Sequence, residues 1–292
     1  ALDVTNAIYY LNRSVNSSST CFTISANNVT LDCKGYTINY STRSIGAAVS
    51  INNRDAITIK NCIINQTNSS LNPSQFGTGY DSINITLSTN IVISNNTIST
   101  NSNYSLPLYV LGSLNVTIIN NNITTLGRSN AYALVVQSSN FSNITNNVIT
   151  TNGPAGLGIV SYQNSYNTQI INNTVRTYGG SATGLGSWGI SIYQVSNGNN
   201  VVSDNNIITN GTTGADGIYL YQSSNNTITR NTVTTGNSAN GIILVSSNSN
   251  NISNQIFNNN QYGIYLQSSN SNIFSNITSN NNSKDGMDLI SS

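Results

Sequence analysis

Apolar and polar positions alternate along nearly the whole chain, and the alternation returns on a regular period. One phrase recurs: an apolar residue, a free position, two Asn or close substitutes, a free position, and a second apolar residue. It spans 59–64, 93–98, 118–123, 144–149 and 170–175, with weaker copies at 203–208, 228–233, 252–257 and 273–278. The closing residues, from Ile64 to Thr278, stand 34, 25, 26, 26, 33, 25, 24 and 21 apart. A period near 25 means one structural turn per repeat, with insertions at the two long intervals. A second phrase interleaves with the first, as in Gly189-Ile190-Ser191-Ile192, Gly217-Ile218-Tyr219-Leu220, Gly241-Ile242-Ile243-Leu244, Gly263-Ile264-Tyr265-Leu266 and Gly286-Met287-Asp288-Leu289. Its strict alternation is that of a strand with one buried face. No helical period is sustained, and Pro73, Pro107 and Pro154 fall at turns.

These patterns predict an all-β fold: a single right-handed parallel β-helix solenoid of about ten coils, roughly 50 Å long at the strand spacing of about 4.8 Å. One domain covers 1–292, with an N-terminal cap and first coil in 1–40 and repeat coils in 41–292. An Asn ladder is expected at one turn of each coil: Asn96, Asn121, Asn147, Asn173, Asn206, Asn231 and Asn276, with Cys62 and Gln255 in the same column. Asn tolerates left-handed backbone, and its amide can bond the equivalent amide above and below. A second column reads Thr100, Thr125, Thr151, Thr177 and Thr235, with Asn210 interrupting. As an outward hydroxyl ladder it raises an ice-binding reading, which Arg176 and Asn210 spoil. Outward strand positions on one face are Tyr109, Leu134, Val136, Tyr193, Tyr219, Tyr221, Ile243, Val245 and Tyr265. They suggest a docking strip for sugar rings or for a neighbouring subunit.

The opening Cys21-Phe22-Thr23-Ile24, then Asn28-Val29-Thr30-Leu31-Asp32-Cys33-Lys34-Gly35-Tyr36-Thr37-Ile38, then Ile57-Thr58-Ile59-Lys60-Asn61-Cys62, resembles the first coils of archaeal secreted surface proteins. With the repeats, it resembles the parallel β-helix superfamily of pectate-lyase-like proteins and of carbohydrate-binding and sugar-hydrolase modules. The resemblance implies the fold strongly and function weakly, because this scaffold carries lyases, hydrolases, adhesins and structural proteins.

Composition narrows the field. Only 6% of residues are charged and the net charge is +1, so no basic patch invites nucleic acid. No apolar run is long enough to span a membrane. The start at Ala1 suits a mature form after signal removal. Cys21, Cys33 and Cys62, without any His, argue for one disulfide and one thiol rather than zinc; three pairings are open. A disulfide implies an extracellular compartment. Among 56 Asn there are nineteen Asn-x-Ser/Thr sequons. Asn12, Asn16, Asn39, Asn68, Asn84, Asn103, Asn140, Asn210 and Asn281 are the candidate N-glycan sites.

Catalysis finds little support. A glycosidase needs two carboxylates within about 5–9.5 Å. Asp81, Asp216 and Asp285 share a column but lie about 24 and 14 Å apart at the coil spacing. Asp285 with Asp288, and Asp204 with Asp216, are marginal pairs. Arg128, Arg176 and Arg230 occupy different columns and have no acidic cluster beside them. No catalytic residue, metal or cofactor is therefore assigned. The expected function is an extracellular, N-glycosylated structural protein of a cell surface, a filament or layer subunit. Self-assembly would run head to tail through Ile8, Tyr9, Leu11, Met287 and Leu289. The alternative is a carbohydrate-binding or polysaccharide-cleaving module.

Overall fold

The computed structural model describes residues 1–70, 81–127, 132–179, 186–211, 214–236 and 238–292. Arg128 and Pro73 lie outside the described residues. All paired strands run parallel, in one 20-stranded and one 11-stranded sheet. Coils give two consecutive strands to the larger sheet and one to the smaller, except that in the last two the pair merges into one long strand, Asn251–Asn258 and Ile273–Asn280. A representative coil holds Gln169–Ile171 and Thr174–Thr177, then Ile190–Tyr193. Like stacks on like: Ile144 pairs with Ile170, Ile149 with Val175, and Ile159 with Ile190. These inward residues are fully buried and form one continuous core. The regular period thus arises because each apolar side chain finds its partner one turn above and below.

The corner between the two strands of the large sheet is built from two adjacent positions. The first is left-handed: Asn95, Asn120, Asn146 and Asn172 have φ of 54–58°. The second turns inward and forms the ladder. Asn121 Oδ1 accepts from the Asn96 backbone N–H at 2.9 Å and from Asn96 Nδ2 at 3.0 Å. The same pair of bonds joins Asn121 to Asn147, Asn147 to Asn173, Asn173 to Asn205, and Asn205 to Asn231. Each amide also caps a backbone carbonyl; Asn147 Nδ2 reaches Ile118 O at 2.9 Å. The ladder therefore satisfies polar groups that the corner would otherwise bury unpaired.

Two expected members lie elsewhere. Asn205, not Asn206, stands in the ladder; Asn206 begins the next strand and is exposed. Asn276 sits in the left-handed outer column, where its Nδ2 donates to Asn254 Oδ1 at 2.7 Å. Both repeats are one residue out of phase with the sequence reading: Val175 pairs with Ile207, and Phe257 with Ser279. In a strand, a slip of one residue exchanges faces.

Below the ladder, a Cys33–Cys62 disulfide takes over the same corner. The Cys62 N–H donates to Asn96 Oδ1 at 2.9 Å, so the covalent staple continues directly into the amide ladder. Cys21 keeps a half-buried thiol, which burial pushes up and holds protonated.

A serine ladder, unforeseen from the sequence, follows the strands of the small sheet. Ser88 N–H donates to Ser113 Oγ, Ser113 to Ser139, and Ser139 to Ser165, at 3.0–3.2 Å. It resumes after Val195 through Ser223, Ser247 and Ser269. The threonine column is Thr100, Thr125, Thr151, Thr177, Thr209 and Thr235, every one buried. Thr209, not Asn210, continues it: Thr177 pairs with Thr209. Thr151 and Thr177 close the loops that follow them by donating to Gly156 O and Ser187 O. An inward column presents no hydroxyl face to solvent, which removes the ice-binding reading.

At the N-terminal end, Ile8–Tyr10 pairs with Val29–Asp32, Val15–Asn16 pairs with Thr37–Tyr40, and Leu2 bridges to Ile24. Residues 1–40 are thus two stacked coils rather than a cap and one coil. Tyr9 and Leu11 pack on this chain's own core, whereas Ile8 points outward and is 58% exposed.

Replacing Asn147 by Ala removes the acceptor of the Asn121 N–H and uncaps Ile118 O. Unsatisfied buried groups cost about 1–3 kcal/mol each, so urea unfolding should show a loss of roughly 2–4 kcal/mol. Asn206→Ala, at an exposed position, should stay within about 0.5 kcal/mol of the parent. Equal losses at both positions would contradict the ladder.

Candidate functional site: an aromatic trough

The small sheet turns its outer face to a satellite cluster that is separate from the core. Alternation puts Leu134 and Val136 inward, fully buried, contrary to the expectation that they face out; Val135 faces outward instead. The outward column next to the strand starts runs Tyr109, Val135, Val160, Ser191, Tyr219 in register. Three small residues between two tyrosines make a floor with raised ends. One side wall is Tyr132, Leu157 and Trp188; the other is Gln137, Tyr162 and Tyr193. The enclosed volume is about 290 Å³, near the lower end of the roughly 300–1,000 Å³ usual for small-molecule sites.

The backbone sets the side walls. At Gly189 and Gly217 the chain presses against core side chains: an added Cβ would lie 2.4 Å from Ile207 Cγ2 and 2.1 Å from Val233 Cγ1. Gly186 lets the indole settle, since a Cβ there would come within 2.4 Å of Trp188 Nε1 and 1.8 Å of Gly214 O. Trp188 stacks on Tyr219 with centroids 4.0 Å apart and planes at 15°, and Tyr193 stacks on Tyr221 at 4.7 Å. Such stacks help hold the rings in place.

A directed hydrogen-bond chain orders the opposite wall. Tyr109 OH donates to Gln137 Oε1 at 2.7 Å, Gln137 Nε2 to Gln163 Oε1 at 2.7 Å, and Gln163 Nε2 to Tyr162 OH at 2.9 Å. Ser191 Oγ, buried on the floor, has no partner. Burial, followed by neighbouring phenols, pushes Tyr132 up to about 12; burial, followed by neighbouring phenols and Asp216, does the same to Tyr219. Both stay neutral at physiological pH.

Two carboxyls stand beyond the ends of the trough. Asp216 is buried and accepts from Asn240 N at 2.7 Å, from Asn240 Nδ2 at 3.0 Å, and from the Trp188 side chain. Burial nevertheless pushes it up to about 6. Asp81 accepts from Asn84 Nδ2 at 3.0 Å, and complete burial pushes it up to about 7. They sit five coils apart in one column, about 24 Å at the strand spacing, too far for a hydrolytic pair. Asp204 is occupied elsewhere, in a bidentate pair with Arg230 at 2.7 and 2.8 Å on the exposed outer corner. Among the described residues, no group of three Asp, Glu, Cys or His converges on a metal position.

The candidate glycan sites divide by exposure. Asn12, Asn16, Asn210 and Asn281 are exposed; Asn68, Asn103 and Asn140 are half-buried. Asn84 is tied to Asp81, and the Asn39 amide donates to Asn16 at 2.7 Å. The trough itself went unrecognised in the sequence. Its signal was the run Val135, Val160 and Ser191 between Tyr109 and Tyr219 in one outward column, visible only once register is known.

The chain belongs to the right-handed β-helix family, whose pattern it matches over 5–187 and again over 188–292. The two matches are stretches of one continuous stack, because Ile159–Tyr162 pairs with Ile190–Tyr193 across the boundary. No curated protein matches it in sequence. Among solved structures it is similar to the surface protein and adhesin PfbA of Streptococcus pneumoniae: TM-score 0.59, 16% identity, 99% of this chain and 83% of that one. It is also similar to the mannuronan C-5 epimerase AlgE4 A-module of Azotobacter vinelandii, with TM-score 0.57, 12% identity, and 97% and 91% covered. A mutant of the periplasmic alginate epimerase AlgG follows at 0.53, 14% identity, and 91% and 76% covered. At these identities the likeness is one of fold.

The buried carboxyls make stability depend on pH. Folded Asp81 and Asp216 keep their protons up to about pH 7 and 6, whereas the unfolded chain releases them near 3.9. Their contribution is complete below about pH 4 and is lost as pH rises through 6 and 7. Asp55 and Asp204, exposed and held low by hydrogen bonds, Thr89 and Arg230 first, act in the opposite sense and weigh little; Asp32, where burial is outweighed by hydrogen bonds from Asn61 and the Lys34 N–H and by Lys60, acts in that sense too, below about pH 4. Calorimetry should find the melting temperature highest near pH 4 and falling between about pH 4 and 7. Asp81→Asn should flatten much of that fall; a parent profile that rises over this interval would contradict the assignment.

Proposed function

We propose that this protein is a secreted or cell-surface β-helix that holds a saccharide in the aromatic trough, acting by binding rather than by turnover. The observation that carries this reading is the small floor of Val135, Val160 and Ser191 between ring-lined walls. Flat aromatic faces cover the apolar C–H face of a sugar ring, while hydroxyls at the floor and rim take its polar edge. The fold neighbours support the reading, since they include a surface adhesin and mannuronan and alginate epimerases. The disulfide and the exposed sequons at Asn12, Asn16, Asn210 and Asn281 suit a secreted, N-glycosylated chain.

Titration calorimetry against a glycan panel tests it. Trp188→Ala should weaken the best ligand by about 10–100-fold, the range of an aromatic anchor. Val160→Phe, which fills the floor from outside the core, should abolish binding with little change in melting temperature. Retained affinity in both variants would remove the trough from the reading.

A second reading, end-to-end assembly, rests on the last strand, Met287–Ile290. Met287 and Leu289 stack on Ile264 and Leu266 yet remain 38% and 57% exposed. Leu289 lines an open hollow with Leu266 and Phe274. A further coil, from a second copy or from continuing chain, would cover this surface. Sedimentation should show concentration-dependent association that is lost on replacing Met287 and Leu289 by Lys; a monomer at every concentration would remove the reading.

A further inference from the structure

We infer that the trough selects an uncharged sugar unit, one or two rings long, and discriminates against uronates. The inference rests on the saccharide reading above and adds the class of ligand.

Among the described residues, no side chain lining the trough carries a charge of either sign. A carboxylate entering it would lose water without gaining a cation, and an unpaired buried charge is strongly disfavoured. The titratable group that bonds the wall is an acid: Asp216 accepts a hydrogen bond from the Trp188 side chain. That bond commits the indole N–H, so Trp188 offers the ligand ring face rather than a donor. Tyr219 already covers one indole face at 4.0 Å. The open indole face, electron-rich and with a carboxyl at its edge, attracts C–H and O–H groups and repels anions.

The polar handles are neutral hydroxyls and amides. Along the Tyr109–Gln137–Gln163–Tyr162 chain the bonds run in one direction, ending at an accepting Tyr162 oxygen. The Tyr162 O–H remains to donate outward. Ser191 Oγ, 1% exposed and lining the floor, has no protein partner. A buried hydroxyl without a partner is costly, and a sugar hydroxyl at the floor would satisfy it. The three floor residues span two strand spacings, roughly 10 Å, with Tyr109 and Tyr219 standing at either end. That length accepts one or two pyranose rings.

The test uses the full chain in titration calorimetry with matched disaccharides of gluco, manno and galacto configuration, each as the neutral hexose and as the corresponding hexuronate. In whichever configuration binds, the neutral member should bind at least 10-fold tighter than its uronate. Ser191→Ala and Tyr162→Phe should each weaken the neutral ligand about 5–10-fold while leaving the melting temperature unchanged. Uronates that bind as tightly as hexoses would overturn the charge selection but leave the saccharide reading standing. Unchanged affinity in both hydroxyl variants would overturn the assigned handles. Absence of binding by every member of both series would overturn the saccharide reading, and this inference with it.

Discussion

Everything in this molecule depends on how a buried corner finds hydrogen bonds. A solenoid coil must bend, and each bend turns backbone N–H and C=O groups away from the ladder of their own strand. Here an inward Asn accepts the N–H of the preceding coil and caps carbonyls around it, from Asn96 through Asn231. The left-handed residue just before it makes the bend, and Asn is the side chain that tolerates that conformation most readily outside glycine. Because each Asn satisfies its neighbour rather than itself, every coil completes the one before it. The result is near-exact stacking over eleven strands of the small sheet, and that regularity allows a surface feature to be built by changing single outward residues.

The trough is such a feature. Inward positions are constrained by stacked Ile, Val and Leu, but the outward column can vary without disturbing the core. Where Val135, Val160 and Ser191 replace larger residues, a depression opens, and the rings on either side frame it. The rings stay in place because the strands beneath them are paired on both sides and because Trp188 is fixed by Asp216 on one edge and Tyr219 on one face. Rigidity here follows from the scaffold, so a ligand would meet a site already formed and lose little free energy in ordering it.

Low charge is the other general property, and it acts locally. With so few ionisable groups, the two buried carboxyls that are pushed up, Asp81 and Asp216, dominate the response to pH above about 4 although they are a small fraction of the chain. Both lie in the column that borders the trough, where they close hydrogen bonds to Asn84 and Asn240. Their burial is compatible with folding because each can hold its proton. The same scarcity leaves the trough without a cation among the described residues.

The sequence by itself determined the fold class, the parallel stacking, the period and most of the Asn ladder. These depend on short apolar and amide patterns that repeat along the chain, and repetition makes them legible without coordinates. It did not determine phase where an insertion or a weak copy intervened. Asn206 and Asn276 were placed one residue from the ladder, and Leu134 and Val136 on the wrong face, because alternation has a period of two and any slip of one reverses inside and outside. The serine ladder was hidden because Ser is common throughout the chain, and the threonine column looked outward for want of knowing which corner it lines. Which cysteines pair, which Asp is buried, and which outward residues adjoin across three successive coils were decided only by the tertiary structure. Those facts depend on register between segments some 25 residues apart, which no local pattern encodes.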